Sequence, residues 1–235
     1  ISYTLWSLSE RVTPQEHWQL DAFTPYREDQ LADTLLNADS ASFPVKPQRF
    51  VRDLRAALPR DAILSLDNGM YKIWVARNYP AYEQNTVLLD NALATMGAGL
   101  AAGMAAKLLN PDKKVVVVAG DGGIMMNIAE LETAVRLGLN LVVVIVNDNG
   151  YGMIKWKQGS MGLPDHGLSF GNPDFVKLAD SFGAHGYRIE KTEDFQPVLE
   201  RVSNKPGVHI IDLPIDYSEN ETLIGNNLKA RTSSK

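Results

Sequence analysis

The sequence predicts an α/β fold, a three-layer domain with a mainly parallel sheet flanked by helices. Three observations carry that prediction. Val115 to Ala119 and Leu141 to Val146 are short apolar runs rich in β-branched residues, as suits strands buried on both faces of a parallel sheet. Between them Ile128, Leu131, Val135 and Leu139 recur at helical spacing, with Glu130, Glu132 and Arg136 turned outward and Gly138 placed to end the helix. The alternation of strand and helix patterns continues on both sides of this βαβ unit.

Residues 1–43 contain no buried-strand run and read as a linker or the tail of a preceding domain. Within them Thr13-Pro14-Gln15-Glu16 has the form of a helix start, and a second helix is expected over Arg27 to Leu36. The main domain is assigned to residues 44–217. Its first helix, Gln48 to Leu58, presents Phe50, Val51, Leu54 and Leu58 on one face. A strand from Ala62 to Leu66 ends at the turn Asp67-Asn68-Gly69. Tyr71 to Arg77 is a helix stopped near Pro80, and Val87 to Leu89 is a short strand. Ala92 to Leu109 is rich in glycine and alanine. Each helical glycine costs roughly 1 kcal/mol against alanine, so this pattern predicts a helix pressed against another backbone or a ligand.

After the central unit, Trp156 to Gly171 lacks periodicity and is expected to be a loop. Asn172-Pro173-Asp174 is placed to cap a helix running to Gly183. A strand over Gly186 to Ile189, a helix from Thr192 to near Asn204 and a last buried strand over Val208 to Leu213 follow. Residues 218–235 form a polar tail. Met125 and Met126 are expected to pack a helix face, and His209 to be a satisfied core residue.

Composition removes several classes of function. A net charge of −5 argues against nucleic acid or an anionic membrane surface as partner. The absence of cysteine excludes a disulfide framework, a thiolate nucleophile and a cysteine metal site. No apolar run approaches the length needed to span a bilayer. The chain opens on Ile1 rather than methionine, so it is expected to be part of a longer polypeptide. A cytoplasmic location is expected, with organellar targeting left open by the missing natural N-terminus.

The two turns of the central unit carry the chemistry. Gly120-Asp121-Gly122-Gly123 follows the first strand, and Asn147-Asp148-Asn149-Gly150-Tyr151-Gly152-Met153 follows the second. The βαβ crossover brings both to neighbouring strand ends, where open α/β sheets bind ligands. Asp121 and Asp148 offer carboxylates and Gly150 a main-chain carbonyl. Oxygen ligands with positions left over suit Mg²⁺, which is usually shared with substrate phosphates. Gly122 and Gly123 let backbone N–H groups approach a phosphate at a helix N-terminus.

These paired turns resemble the metal and diphosphate motif of thiamine-diphosphate (ThDP) enzymes. The resemblance assigns Asp121, Asp148 and Gly150 to the metal. Residues 44 to about 225 are similar to the C-terminal, diphosphate-binding domain of acetolactate synthases. Glu130 to Leu137, Asp148-Asn149-Gly150-Tyr151 and Pro214-Ile215-Asp216-Tyr217 resemble the catabolic, FAD-free type most. By the same resemblance, Asn68, Gly69, Gly122, Gly123 and Tyr151 lie on the phosphate side. Ala94, usually glycine in the family, offers its carbonyl to the pyrimidine. Met96 wedges the cofactor into its bent form, with Met153 and Ile154 near the reactive ring. Met70 and Tyr71 stand where many biosynthetic relatives carry Gln-His.

The implied activity is decarboxylation of pyruvate and addition of the two-carbon unit to a second 2-oxo acid, with ThDP and Mg²⁺ as cofactors. The family takes its activating glutamate from an N-terminal pyrimidine-binding domain of the same or a partner subunit, in a homodimer or homotetramer. No segment here matches that domain, so no catalytic residue is assigned within the chain. Another ThDP-dependent 2-oxo acid decarboxylase or carboligase is a second reading. A Mg-nucleotide regulatory module is a third, opposed by the lack of a Gly-x-x-x-x-Gly-Lys-Ser/Thr motif.

Overall fold

The computed structural model describes residues 1–226, so positions 227–235 of the polar tail lie outside the described residues. The chain divides into two compact units, Ile1–Leu35 and a second beginning at Leu36. The first contains helix α1 (Ser2–Ser9), a 3-10 turn over Leu20–Phe23 and helix α2 (Thr24–Leu35). The helix start predicted at Thr13 is absent. There the Gln15 amide donates to the Thr13 carbonyl at 3.2 Å and to Thr13 Oγ1 at 3.4 Å, occupying the oxygen that would have capped the backbone.

The second unit runs α3 (Pro47–Ala56), β1 (Ile63–Leu66), α4 (Met70–Asn78), β2 (Val87–Leu89) and α5 (Ala98–Leu109). It continues with β3 (Val115–Gly120), α6 (Asp121–Ile124), α7 (Glu130–Arg136), β4 (Leu141–Asn147), α8 (Gly152–Ser160) and α9 (Phe175–Ser181). β5 (His185–Arg188), α10 (Phe195–Ser203), β6 (Val208–Pro214) and a helical turn over Glu221–Asn226 complete it. Six parallel strands form one sheet in the order β2-β1-β3-β4-β6-β5.

The period of two along each strand builds two cores. Leu64, Val116, Val118, Val144 and Ile211 face a core closed by Phe50 and Leu54 of α3, Trp74 of α4 and Leu199 of α10. Ile63, Val117, Val143, Ile145 and Ile210 face the opposite one, closed by Leu100 of α5, Leu131 of α7 and Phe175 of α9. The sheet is thus buried on both sides, which is why its central strands read as unbroken apolar runs. In α5 the small residues serve close approach: a Cβ at Gly103 would lie 2.3 Å from Val117 Cγ2 of β3.

Three expectations need correction. The glycine-rich helix begins at Ala98 rather than Ala92, because Ala94 (φ 49°) and Gly97 (φ 89°) take left-handed backbone conformations that a right-handed helix cannot contain. The stretch expected as loop from Trp156 is helical to Ser160, since Met153 and Trp156, three apart, both pack on the core below α4. Met125 and Met126 are 40% and 52% exposed, because they fall in the turn between α6 and α7 and not on a helix face. His209 is buried, its Nε2 3.0 Å from the Pro206 carbonyl, and burial lowers its pKa. Among the described residues no helix is long and apolar enough to cross a membrane.

The order of strands positions the site. From β1 the chain moves outward to β2 through α4 on one face, then returns across β1 to β3 through α5 on the other. The carboxyl ends of β1 and β3 therefore flank a crevice at the point where the winding reverses, the usual ligand position in such sheets.

Candidate functional site

The crevice is built from four strand-end segments. Asp67 follows β1, Asp121 follows β3, Asp148 follows β4, and Tyr217 lies just beyond β6. A cleft at this edge is lined by Asn68, Gly69, Met96, Gly122, Gly123, Tyr151, Met153 and Ile154, together with Asp121, Asp148 and Gly150. Sequence reasoning thus named eleven cleft residues that the fold gathers from four separate segments. Ala94 is not among the lining residues; it lies two residues before Met96 with its left-handed backbone.

Asp121 is 1% exposed. Its Oδ1 accepts the Gly122 N–H at 2.8 Å, and its Oδ2 accepts Asn172 Nδ2 at 2.8 Å. Burial pushes its pKa up, against the lowering effect of these donors. Asp148 is pushed up to about 7, first by burial and then by the charge of Asp121. The charge of Asp121 thus opposes ionisation of Asp148, whereas Asp121 itself is shifted by burial and its hydrogen bonds. A Cβ at Gly152 would lie 2.4 Å from Asp148 Oδ2, so only glycine leaves that carboxylate its place.

The Asn149 to Tyr151 turn is held by a short antiparallel bridge to Ser169. Tyr151 N–H donates to the Leu168 carbonyl at 2.9 Å, and Phe170 N–H to the Asn149 carbonyl at 3.2 Å. This pairing uses the main chain on either side of Gly150 and passes over Gly150 itself. Asn149 supplies the left-handed conformation (φ 54°) that the turn demands.

Asn172, read from sequence as part of a helix cap, belongs to the site instead. Its amide donates to Asp121, to Asn147 Oδ1 at 3.0 Å and to Asn149 Oδ1 at 3.3 Å, joining the two acidic turns. The cap of α9 is Asp174, whose side chain accepts the Val176 and Lys177 amides. Behind Asn172, Asn147 donates to the buried Asp212 at 2.9 Å, and Arg188 donates to Asp212 at 2.9 Å. A hydrogen-bonded chain thus ties Asp121 to the edge strand β5.

Asp67, fully buried, was also missed as a positioning residue. Its carboxylate accepts the Gly97 N–H at 2.9 Å and the Gly99 N–H at 3.3 Å, satisfying orphan amides at the start of α5 from across the crevice. A Cβ at Gly123 would lie 2.3 Å from Asp67 Oδ2, and one at Gly122 would lie 2.8 Å from the Tyr151 ring. These glycines therefore admit neighbouring side chains as well as exposing main chain. Asn68 Nδ2 donates to the Thr95 carbonyl at 2.8 Å, fixing the segment that carries Met96.

Burial, reinforced by the charge of Asp67, pushes the Tyr71 phenol well above the usual tyrosine range. Tyr217 is raised similarly by burial and then by Asp148. Among the described residues no three His, Cys, Asp or Glu side chains converge to hold a metal by themselves. Asp121, Asp148 and the Gly150 carbonyl, all at this cleft, could hold a divalent cation together with ligand oxygens and water.

A family profile described as "Thiamine pyrophosphate enzyme, C-terminal TPP binding domain" matches residues 67–213. The chain is 38% identical over 191 residues to an acetolactate synthase of Bacillus subtilis (strain 168), covering 81% of this chain and 34% of that protein. It is 36% identical to the catabolic acetolactate synthase of Raoultella terrigena, covering 96% of this chain and 41% of that protein. The chain therefore spans less than half the length of these relatives. A thiamine diphosphate-dependent 4-hydroxybenzoylformate decarboxylase of Rhodococcus jostii RHA1 shares the fold, with a TM-score of 0.72 at 24% identity over 77% of this chain and 34% of that one.

Proposed function

Since the chain belongs to the thiamine pyrophosphate enzymes, through their C-terminal TPP-binding domain, we propose that it is the part of an acetolactate synthase-like enzyme that holds Mg²⁺ and the diphosphate of ThDP. The observation that carries this reading is the placement of Asp121 and Asp148 on one cleft at neighbouring strand ends, where burial and then the charge of Asp121 raise the Asp148 pKa to about 7. The donor set fits the groups it would hold. Asp121, Asp148 and the Gly150 carbonyl offer three hard oxygens, and a divalent cation between the carboxylates removes the repulsion between them and a diphosphate.

ThDP, when bound, supplies the electron-accepting ring that allows decarboxylation of a 2-oxo acid. This chain's residues bind and orient. Asn172 fixes Asp121 toward the metal position, Asp67 and Asn68 fix the segment bearing Met96, and Met96 supports the bend between the cofactor's rings. Met153 and Ile154 border the ring end of the cleft. The whole enzyme decarboxylates pyruvate and adds the two-carbon unit to a second 2-oxo acid. The pyrimidine end and its activating glutamate come from a further domain of the same or a partner subunit, in a homodimer or homotetramer.

Calorimetric titration with ThDP and with ATP, each with and without Mg²⁺, tests the reading. Saturable ThDP binding that requires Mg²⁺, without comparable ATP binding, is expected. Preference for ATP would replace the reading with a nucleotide-binding one.

A further inference from the structure

A second concave site lies at the opposite end of the sheet from the acidic cleft. A cavity of about 310 Å³ opens at the amino ends of β3, β4 and β6, beside the last turns of α5 and α10. Strand β3, six residues long, separates it from the turn at Asp121 by roughly 20 Å. No residue lines both. Sheets of this kind bind their ligands at the carboxyl ends of strands, so topology alone gives this cavity no role.

Its lining is basic in a chain whose net charge is −5. Lys107, Lys113, Lys114 and Lys205 line it against one acidic residue, Asp112. Among the described residues none of these lysines lies within ion-pair distance of a carboxylate. Lys107, in the last turn of α5, is 8% exposed, and its Nζ donates to the Pro111 carbonyl at 2.7 Å and the Lys113 carbonyl at 2.8 Å. Lys114 Nζ donates to the Ser203 carbonyl at 2.6 Å. Carbonyls fix these ammonium groups in place without neutralising them. Burial lowers the Lys107 pKa, and the charge of Lys114 lowers it further, ahead of the opposing pull of Asp112. Like charges gathered at a partly buried site are unfavourable until an anion joins them.

The second observation is a hydroxyl with nothing to bond. Ser203, the last residue of α10, lines the cavity, and its Oγ is buried without a hydrogen-bond partner among the described residues. Buried polar side-chain atoms are mostly satisfied. The polar groups around it are already committed. Asn140 Oδ1 accepts the Gly207 N–H at 2.8 Å, Asn204 Nδ2 donates to the Glu200 carbonyl at 2.8 Å, and His209 Nε2 lies 3.0 Å from the Pro206 carbonyl.

The type of cation selects the anion. No arginine is among the lining residues, so the planar fork that recognises carboxylates is missing. Lysines act as compact point charges and suit a phosphate group, which also accepts from a hydroxyl. The volume is at the lower end of the range for small-molecule sites, enough for a phosphate with a small organic body. We propose that this cavity is a second ligand site, in which Lys107, Lys114, Lys205 and the Ser203 hydroxyl bind a phosphate group, free or carried on a small molecule. The site is independent of the Mg²⁺–ThDP reading above.

The test is titration of the full chain with inorganic phosphate and, separately, with glycerol phosphate. Chelator is present, Mg²⁺ and ThDP are absent, and chloride holds the ionic strength constant. Backbone amide shifts in heteronuclear NMR locate the ligand. Saturable shifts at Lys114, Asn140 and Ser203 are expected, with Gly122 and Gly123 of the acidic cleft unmoved. Tighter binding of glycerol phosphate would assign the site to a phosphate monoester, and tighter binding of inorganic phosphate to the free ion. Ser203→Ala should weaken binding about tenfold, the scale of a lost hydrogen bond to a charged group. Its ligand-free melting temperature should hold or rise, because the substitution removes a buried oxygen that had no partner. Lys205→Gln, at an exposed position, should weaken binding by about the same factor with the fold intact. Wild-type affinity in both variants overturns the proposal. Shifts confined to Gly122 and Gly123, or a response that chloride alone reproduces, overturn it as well.

Discussion

At the scale of single residues, the site's chemistry rests on the ionisation of Asp148. Its folded-state pKa, about 7, is above the usual aspartate value of 3.8 because of burial and the charge of Asp121. A carboxyl raised in the folded state binds its proton more tightly there than in the unfolded chain. The contribution of Asp148 to metal-free stability should therefore be lost as pH rises from about 4 through about 7, and Mg²⁺ should restore more stability at pH 8 than at pH 5.5. Thermal melts of the metal-free protein and of its Asp148→Asn variant across that range check both signs, and a difference between the two that does not change with pH would contradict the account of Asp148. Asn172 acts one bond further out. Its amide bridges Asp121, Asn147 and Asn149, so Asn172→Ala should lower Mg²⁺ affinity about 10–100-fold while leaving the sheet intact. Competition with a chelator in a fluorescence titration reads this directly. The acidic residues themselves were legible in sequence because each directly follows a buried strand. Asn172 was not, because it lies 51 positions from Asp121 and is brought back only by the loop after α8.

Among the elements, α5 shows how position is transmitted. The helix starts beside the crevice, and its first amides are satisfied by Asp67 from the end of β1 rather than by a local cap. Asp67→Ala should cost about 2 kcal/mol, from the lost cap and the amides left unsatisfied. It should also loosen the segment carrying Met96. Equilibrium unfolding and hydrogen exchange at Gly97 and Gly99 would show the effect, and wild-type exchange at both amides would refute it. The strands were legible because burial on both faces forces apolar, β-branched runs. The start of α5 was not, since alanine favours helix and only the tertiary turn imposes a left-handed backbone on Ala94. The C-terminal half of α8 hid in a polar, glycine-containing stretch, with only Met153 and Trp156 marking the helix's packed face.

For the whole molecule, the chain matches a third to two-fifths of its acetolactate synthase relatives, and the described cleft is lined at its acidic end by Asp121 and Asp148 alone. If, as proposed, both aspartates hold the metal, no carboxylic acid lining this cleft is left to serve the pyrimidine. Residues 1–235 by themselves should form no acetolactate from pyruvate at any ThDP and Mg²⁺ concentration, since general acid–base help of this kind is worth roughly 10²–10⁴-fold and the ring-ordering partner is also lacking. Product formation by the purified chain, free of host enzyme, would contradict that and require an activating acid within it. The central claim is that Asp121 and Asp148 hold the metal that holds the diphosphate. The most direct measurement is Mg²⁺-dependent ThDP binding to Asp121→Ala and Asp148→Ala, with circular dichroism to show that both remain folded. Loss of the Mg²⁺-dependent binding in folded variants is the predicted result; wild-type affinity in both would contradict it.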